Sequence, residues 1–274
     1  MQTIKPRVTL LVPAYNEENR IELTLRDYLG SSVLNEICEL KIVAVLNGCE
    51  DNTKEVVENV AKDFIGRLEI IEEKKKIGKG GALILGFSQS WDSDFVGFTD
   101  ADNSILPDMF ARLIITFIEN SELDAVITSR YMKGANVYGK TFTRAVMSKV
   151  FSIIVNLFFF LGIYDTQCGA KLLKKSAVDI ILPDLKIKNM AFDVNLLLSL
   201  RRRKLQIKEV PIDWKDNKDS SFKGRAHIVS LLMLWSLVRM RISLSPLQTM
   251  YKTLLMPLDK WLWVDKLGQN WEEF

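Results

Sequence analysis

Asp100 and Asp102, one residue apart in Phe95-Val96-Gly97-Phe98-Thr99-Asp100-Ala101-Asp102, are the residues of this chain whose types and spacing best suit chemistry. The apolar run before them reads as a buried strand that delivers both carboxylates where it ends. Successive strand side chains point to opposite faces, so extended geometry carried to Asp102 would set the pair on one face. Two carboxylates on one face suit a hard divalent cation, because Mg²⁺ is usually held by one or two carboxylates plus substrate phosphate oxygens. The same residues also suit a plain turn, with Asp102-Asn103-Ser104 capping the helix that follows Pro107. Asp-x-Asp alone does not separate the two readings, so the rest of the chain must.

The elements that would position the pair alternate. Val8 to Val12 is a short β-branched strand that should end at Pro13, and Asn16-Glu17-Glu18 should open an amphipathic helix closed by Gly30. Lys41 to Leu46 reads as a second strand and Leu68 to Ile71 as a third, with a helix stopped by Gly66 between them. Gly81 to Trp91 is expected as a helix, Phe95 to Thr99 as a strand, Pro107 to Asn120 as a helix and Asp124 to Thr128 as a strand. Such alternation predicts right-handed βαβ crossovers and an α/β fold with a doubly wound, mainly parallel sheet. Ligands of such sheets bind outside the carboxyl ends of the strands, where strand order reverses. Four polar turns should converge there: Pro13 to Glu17, Asn47 to Thr53, Glu72 to Gly81 and Asp100 to Asn103. In the third, Lys79 framed by Gly78, Gly80 and Gly81 sets a cation and glycine N–H groups beside a helix start, which favours anions.

Composition bounds what the site can be. A chain of 274 residues, 48% hydrophobic and 26% charged, is long enough for a large α/β domain. A net charge of +3 is too small to imply nucleic-acid binding. Cys38, Cys49 and Cys168 lack metal-ligand spacing and favour a reducing compartment, and the single histidine, His227, argues against a Ser-His-Asp triad. No N-terminal signal is visible, and no apolar run reaches the ~20 residues needed to span a bilayer.

Four motifs in order, Val12-Pro13-Ala14-Tyr15-Asn16-Glu17-Glu18, Asn47-Gly48-Cys49-Glu50-Asp51-Asn52-Thr53, Lys79-Gly80-Gly81-Ala82 and Thr99-Asp100-Ala101-Asp102, resemble the signature of the family 2 glycosyltransferases with the GT-A fold. Asp165-Thr166-Gln167-Cys168-Gly169-Ala170-Lys171-Leu172, Met190-Ala191-Phe192-Asp193-Val194 and Glu209-Val210-Pro211-Ile212-Asp213-Trp214 resemble the branch that moves a sugar onto a polyprenyl phosphate, most nearly the dolichyl-phosphate β-glucosyltransferases. The resemblance implies a nucleotide sugar donor held by Pro13, Ala14, Tyr15 and Glu17, with Lys79 on the donor side. It implies that Asp102 coordinates Mg²⁺ or Mn²⁺ bridging the diphosphate, while Asp100 reaches the ribose or sugar side. Leu46 and Asn47 replace the acidic pair usual in the second turn, and Asn47 retains hydrogen-bonding capacity toward a uracil imide.

By the same resemblance Arg130, Arg144 and Ser148 surround the acceptor phosphate; Arg144 and Ser148 are one helical turn apart, and arginine binds phosphate oxygens bidentately. Asp193 matches the family's acidic residue near the acceptor side. It would be the general base toward a hydroxyl, whereas a phosphomonoester, mostly dianionic at neutral pH, would need it only for orientation. Gln167 could bond sugar hydroxyls or serve as a buried structural amide. Val150 to Ile163, about 14 apolar residues, fits a core helix and equally a lipid-facing one. Residues 1–225 are expected as the catalytic domain, with a loop at Lys218 to Lys223 able to close over phosphates. Residues 226–274 are expected as an amphipathic segment whose Trp235, Trp261 and Trp263 suit a bilayer interface, core packing or a second subunit. The expectation is an inverting hexosyltransferase, peripheral on the cytoplasmic face of a membrane, with UDP-glucose as first donor and GDP-mannose as second. An enzyme using a soluble or glycan hydroxyl, and an inactive nucleotide-sugar or membrane-binding subunit, are the alternatives.

Overall fold

Side chains of β1 (Arg7–Ala14) part to opposite faces, Leu10 and Val12 entering one buried cluster and Leu11 the other, so this strand divides two cores. The computed structural model describes residues 5–139, 141–215, 226–246 and 249, with only the backbone for 142–144 and 226–229. After β1 come α1 (Ile21–Gly30), α2 (Ser32–Ile37), β2 (Glu39–Asn47), α3 (Thr53–Asp63), β3 (Leu68–Glu73), α4 (Gly78–Phe87), β4 (Phe95–Phe98), α5 (Pro107–Glu119) and β5 (Ala125–Ser129). The second half contributes β6 (Asn136–Tyr138), α6 (Phe142–Phe159), β7 (Lys171–Lys174), α7 (Lys175–Ile181), α8 (Phe192–Arg202), β8 (Ile207–Pro211), β9 (Asp213–Lys215) and α9 (Ala226–Ser243).

Seven strands form one sheet in the order β3-β2-β1-β4-β7-β5-β8, and β6 pairs with β9 in a small parallel ribbon. Only β7 runs antiparallel to its neighbours, β4 and β5, within the seven-stranded sheet; the other pairings are parallel. Helices α1, α2, α3 and α5 cover one face and α4, α7 and α8 the other, so the expected doubly wound, mainly parallel fold is present. From β1 the chain winds outward through β2 to β3, then crosses back to β4 on the other side of β1. That reversal opens a crevice at the carboxyl ends of β1 and β4.

Several boundaries differ from the sequence reading for local reasons. β1 continues through Pro13 because its pairing with β4 ends at Leu11, beyond which a missing N–H costs no bond on that side. Asn16, with φ of 55°, turns the chain before the helix, and α1 starts only at Ile21 after a turn closed on the Glu17 carbonyl. Helix α6 begins eight residues before Val150. Its stripe of Val146, Val150, Ile153 and Leu157, 44–66% exposed, means that it is no simple core helix. Lys218 to Lys223, and the segment from Leu254 to Trp263, lie outside the described residues.

Candidate active site

Strand β4 stops at Phe98, so pleat alternation does not place Asp100 and Asp102; a braced turn does. Within it the Asp102 Oδ1 accepts from the Ser104 N–H at 3.0 Å and from the Ser104 hydroxyl at 2.5 Å. Helix α1 holds this turn from beneath. The Thr24 hydroxyl donates to the Ala101 carbonyl at 2.8 Å, and the wholly buried Tyr28 hydroxyl donates to the Ile105 carbonyl at 2.9 Å. Asn103, with φ of 55°, donates from Nδ2 to Asp27 at 2.7 Å. The Lys79 ammonium meets the Asp100 Oδ1 at 2.6 Å, and Gly169 lies so close that a Cβ there would run into the Asp100 carboxylate. Burial works against the Lys79 charge, but Asp100 and Asp193 outweigh it and hold the ammonium protonated well above the ordinary lysine range.

Among the described residues no cluster of three or more His, Cys, Asp or Glu forms a complete metal cage. Two carboxylates on one short turn fit a hard cation that completes its shell with phosphate oxygens and water, and do not fit a closed structural zinc site. The chemistry of the donor set therefore agrees with Mg²⁺ or Mn²⁺ on Asp102, with Asp100 alongside.

The first two turns interlock beside this pair. The Asn16 Oδ1 accepts from the Glu50 N–H at 2.9 Å, the Glu17 N–H donates to the Thr53 hydroxyl at 2.7 Å, and the Cys49 thiol donates to the Ala14 carbonyl at 3.5 Å. Arg20 grips the Glu17 carboxylate bidentately at 2.6 and 2.7 Å. Burial nevertheless pushes the Glu17 carboxyl up, against the pull of Arg20 and with help from Asp102 and Asp100. Pro13 and Ala14 form the end of β1, and Tyr15 follows with the Lys76 ammonium 3.7 Å from its ring centre. Asn47 is 3% exposed and its Oδ1 accepts from the Ile77 N–H at 2.7 Å, so this amide pins the lysine-rich turn. The glycines of that turn have a packing role that the sequence reading did not foresee. Gly81 N–H donates to the Lys188 carbonyl at 3.0 Å, and a Cβ on Gly78 or Gly80 would strike the Ile187–Lys188 backbone.

A second cluster forms across β5 and the 163–169 turn. Asp165, wholly buried, accepts from Arg130 Nε at 2.7 Å, from Arg130 Nη2 at 3.0 Å and from the Arg130 N–H at 3.0 Å. Burial opposes both charges, but each outweighs it for the other: the Asp165 carboxyl is held below its ordinary range and the Arg130 guanidinium above its own. Tyr131 and Trp214 lie with ring centres 5.8 and 5.5 Å from the guanidinium carbon, and Ser148 interacts with Tyr131. Arg144 falls on the first turn of α6, and its side chain lies outside the described residues. Gln167 caps the same turn, its N–H donating to Asp165 Oδ1 at 3.1 Å. Asp193, on the first turn of α8, is 2% exposed and paired with the wholly buried Lys171.

Thus Asp100, Lys79 and Asp193 fall together, with Asp102 and Glu17 electrostatically coupled to them; Arg130, Ser148 and Gln167 form a neighbouring group through Asp165 and Tyr131. The sequence reading carried Asp165 and Lys171 only inside a motif and gave them no role, and it missed Tyr131 and the α1 brace. A charged residue inside an apolar strand, as in Ala170-Lys171-Leu172-Leu173, is the signal that could have exposed Lys171.

Residues 9–182 match the glycosyl transferase family 2. A dolichyl-phosphate beta-glucosyltransferase of Trichomonas vaginalis is 31% identical over 78% of this chain, which spans about two thirds, 66%, of that protein. The dolichyl-phosphate beta-glucosyltransferase of Saccharomyces cerevisiae is 30% identical over 86% of this chain and 74% of its own length. Glycosyltransferase AglD of Haloferax volcanii is 27% identical, over 78% of this chain and 34% of its own length. Among solved structures, glucosyl-3-phosphoglycerate synthase of Mycobacterium tuberculosis, in complex with Mn²⁺, uridine diphosphate and glucosyl-3-phosphoglycerate, superposes with a TM-score of 0.65 over 86% of this chain and 80% of that one. At 13% identity that likeness concerns the fold alone, which is GT-A. With the family match covering well over half its length, the chain belongs to the family 2 glycosyltransferases.

Proposed function

We propose that this glycosyltransferase moves a hexose, glucose from UDP-glucose before mannose from GDP-mannose, onto a polyprenyl phosphate of the dolichyl type by a single inverting displacement. The observation that carries the reading is the adjacency of two unlike centres: a carboxylate pair at the crevice, and a buried arginine flanked by aromatic rings beside an apolar helix. The names borne by the curated relatives support the same acceptor class. Pro13, Ala14, Tyr15, Glu17 and Asn47 form the nucleotide side, and Lys79 faces the diphosphate. Asp102 would hold the cation, which when bound neutralises charge on the departing nucleoside diphosphate, while Asp100 reaches the ribose or sugar side of the donor. Arg130, Arg144 and Ser148 receive the acceptor phosphate; Arg130 keeps one edge on Asp165 and has its Nη1 donors for a phosphate oxygen. A phosphate dianion attacks without losing a proton, so Asp193 and Gln167 act by orienting the sugar or acceptor.

Membrane association belongs to this reading. The exposed α6 stripe is joined by Phe160 at 80%, and α9 presents Leu231 at 65% and Trp235 at 41%, which suits a lipid surface better than water. Among the described residues no helix is long and apolar enough to cross a membrane. The contact proposed is peripheral, at the cytoplasmic face. Incubation with a panel of labelled nucleotide sugars, one polyprenyl phosphate and Mn²⁺ tests the proposal. Label from UDP-glucose should enter the organic phase, and EDTA should stop it; label confined to water-soluble products would refute the acceptor. Binding to anionic liposomes is the companion expectation, and its absence in the full-length protein would refute the membrane contact.

A further inference from the structure

Lys171 is a wholly buried cation to which none of the roles above is assigned. It lies on β7 directly opposite Phe98, the last residue of β4, and its ammonium is 5.3 Å from the Phe98 ring centre. Phe98 belongs to an aromatic group with Phe87 and Phe192, so the ammonium lies among apolar surroundings. It donates to the Cys168 carbonyl at 2.7 Å and to the Asp193 Oδ1. One side chain thereby ties the end of the sheet, the turn whose Gly169 backs Asp100, and the first turn of α8. Lys79 lies 5.8 Å from the same Phe98 ring and is electrostatically coupled to Asp193 as well as to Asp100.

Taking two charges out of water costs several kcal/mol per ion, and well-packed apolar residues of similar volume often serve stability equally well. A buried Lys–Asp pair beside the crevice is therefore weakly explained by stability. We propose that Lys171 is a positioning residue: it holds Asp193 as a fixed carboxylate facing the donor side, so that Asp193 stays in place when Lys79 turns from Asp100 toward a diphosphate. The inference rests on the functional reading above, in which Asp193 orients the sugar or acceptor.

The test compares the full chain with Lys171→Met, Asp193→Asn and the double variant in labelled glucose transfer and thermal melting. Each single variant strands one buried group and should melt lower, whereas the double variant should regain most of the loss. Asp193→Asn and the double variant should share a kcat at least about tenfold below wild type, with donor KM within about threefold, because the two residues act as one unit. A double variant with wild-type kcat would overturn the proposal, since the pair would then serve folding alone. A double variant far slower than Asp193→Asn would also overturn it, since Lys171 would then act otherwise than through Asp193. Wild-type protein that transfers no sugar from any nucleotide would refute the functional reading and this inference together; the other outcomes bear on Lys171 alone.

Discussion

The two halves of the crevice are built on opposite principles. On the donor side, Asp100 and Asp102 sit on a short turn at the end of a parallel strand and Lys79 on the first turn of α4, with the Asp100 and Lys79 side chains 35% and 14% exposed. On the acceptor side, Arg130 and Asp165 are 35 residues apart in sequence and locked together, with side chains 10% and 0% exposed. A half-buried carboxylate can exchange its lysine partner at less desolvation cost than a wholly buried one. A buried arginine already fixed by a carboxylate instead presents a pre-oriented edge, with no ordering left to do at binding. In the proposed reading the donor side is thus arranged for exchange and the acceptor side for recognition.

This contrast breaks most visibly at Asp165. Asp165→Ala should destabilise the fold by about 3–5 kcal/mol, because Arg130 is left as an uncompensated buried charge; denaturant unfolding measures it. Loss of less than about 1 kcal/mol would mean that the pair is solvated and the contrast false. The same pair sets a pH dependence. Its carboxyl is held below the ordinary aspartate value of about 4, so its contribution is complete above that value and is lost as pH falls through the lowered folded value. Acid unfolding of wild type should therefore be steeper in that range than that of Asp165→Asn. On the donor side, Gly169→Ala should spare stability but push Asp100 aside, weakening apparent Mn²⁺ affinity by about tenfold in a metal titration. Tyr28→Phe gives the smallest effect, about 1 kcal/mol, as the Ile105 carbonyl loses its donor.

The same contrast decides what the sequence could reveal. Parallel-strand turns carry their chemistry in consecutive residues, so Asp100, Asp102, Lys79 and the Tyr15 turn were legible, as were the alternating strands and helices. Asp165 and Lys171 were not, because their partners Arg130 and Asp193 are remote in sequence and meet only once β7 inserts antiparallel between β4 and β5. The glycines around Lys79 were legible as a special site but not for their packing against Lys188, a contact only tertiary structure shows. Asp102 looked like a residue placed by a strand, yet α1 places it, through Thr24 and Tyr28 hydroxyls spaced one helical turn apart.

The carboxylate turn as the centre of transfer is tested most directly by Asp102→Ala. Labelled glucose transfer to polyprenyl phosphate should fall by at least about a thousandfold while the melting temperature stays near wild type, since the bonds of Asp102 to the Ser104 N–H and hydroxyl are local to a short turn. A folded Asp102→Ala protein with near-normal turnover would contradict the account.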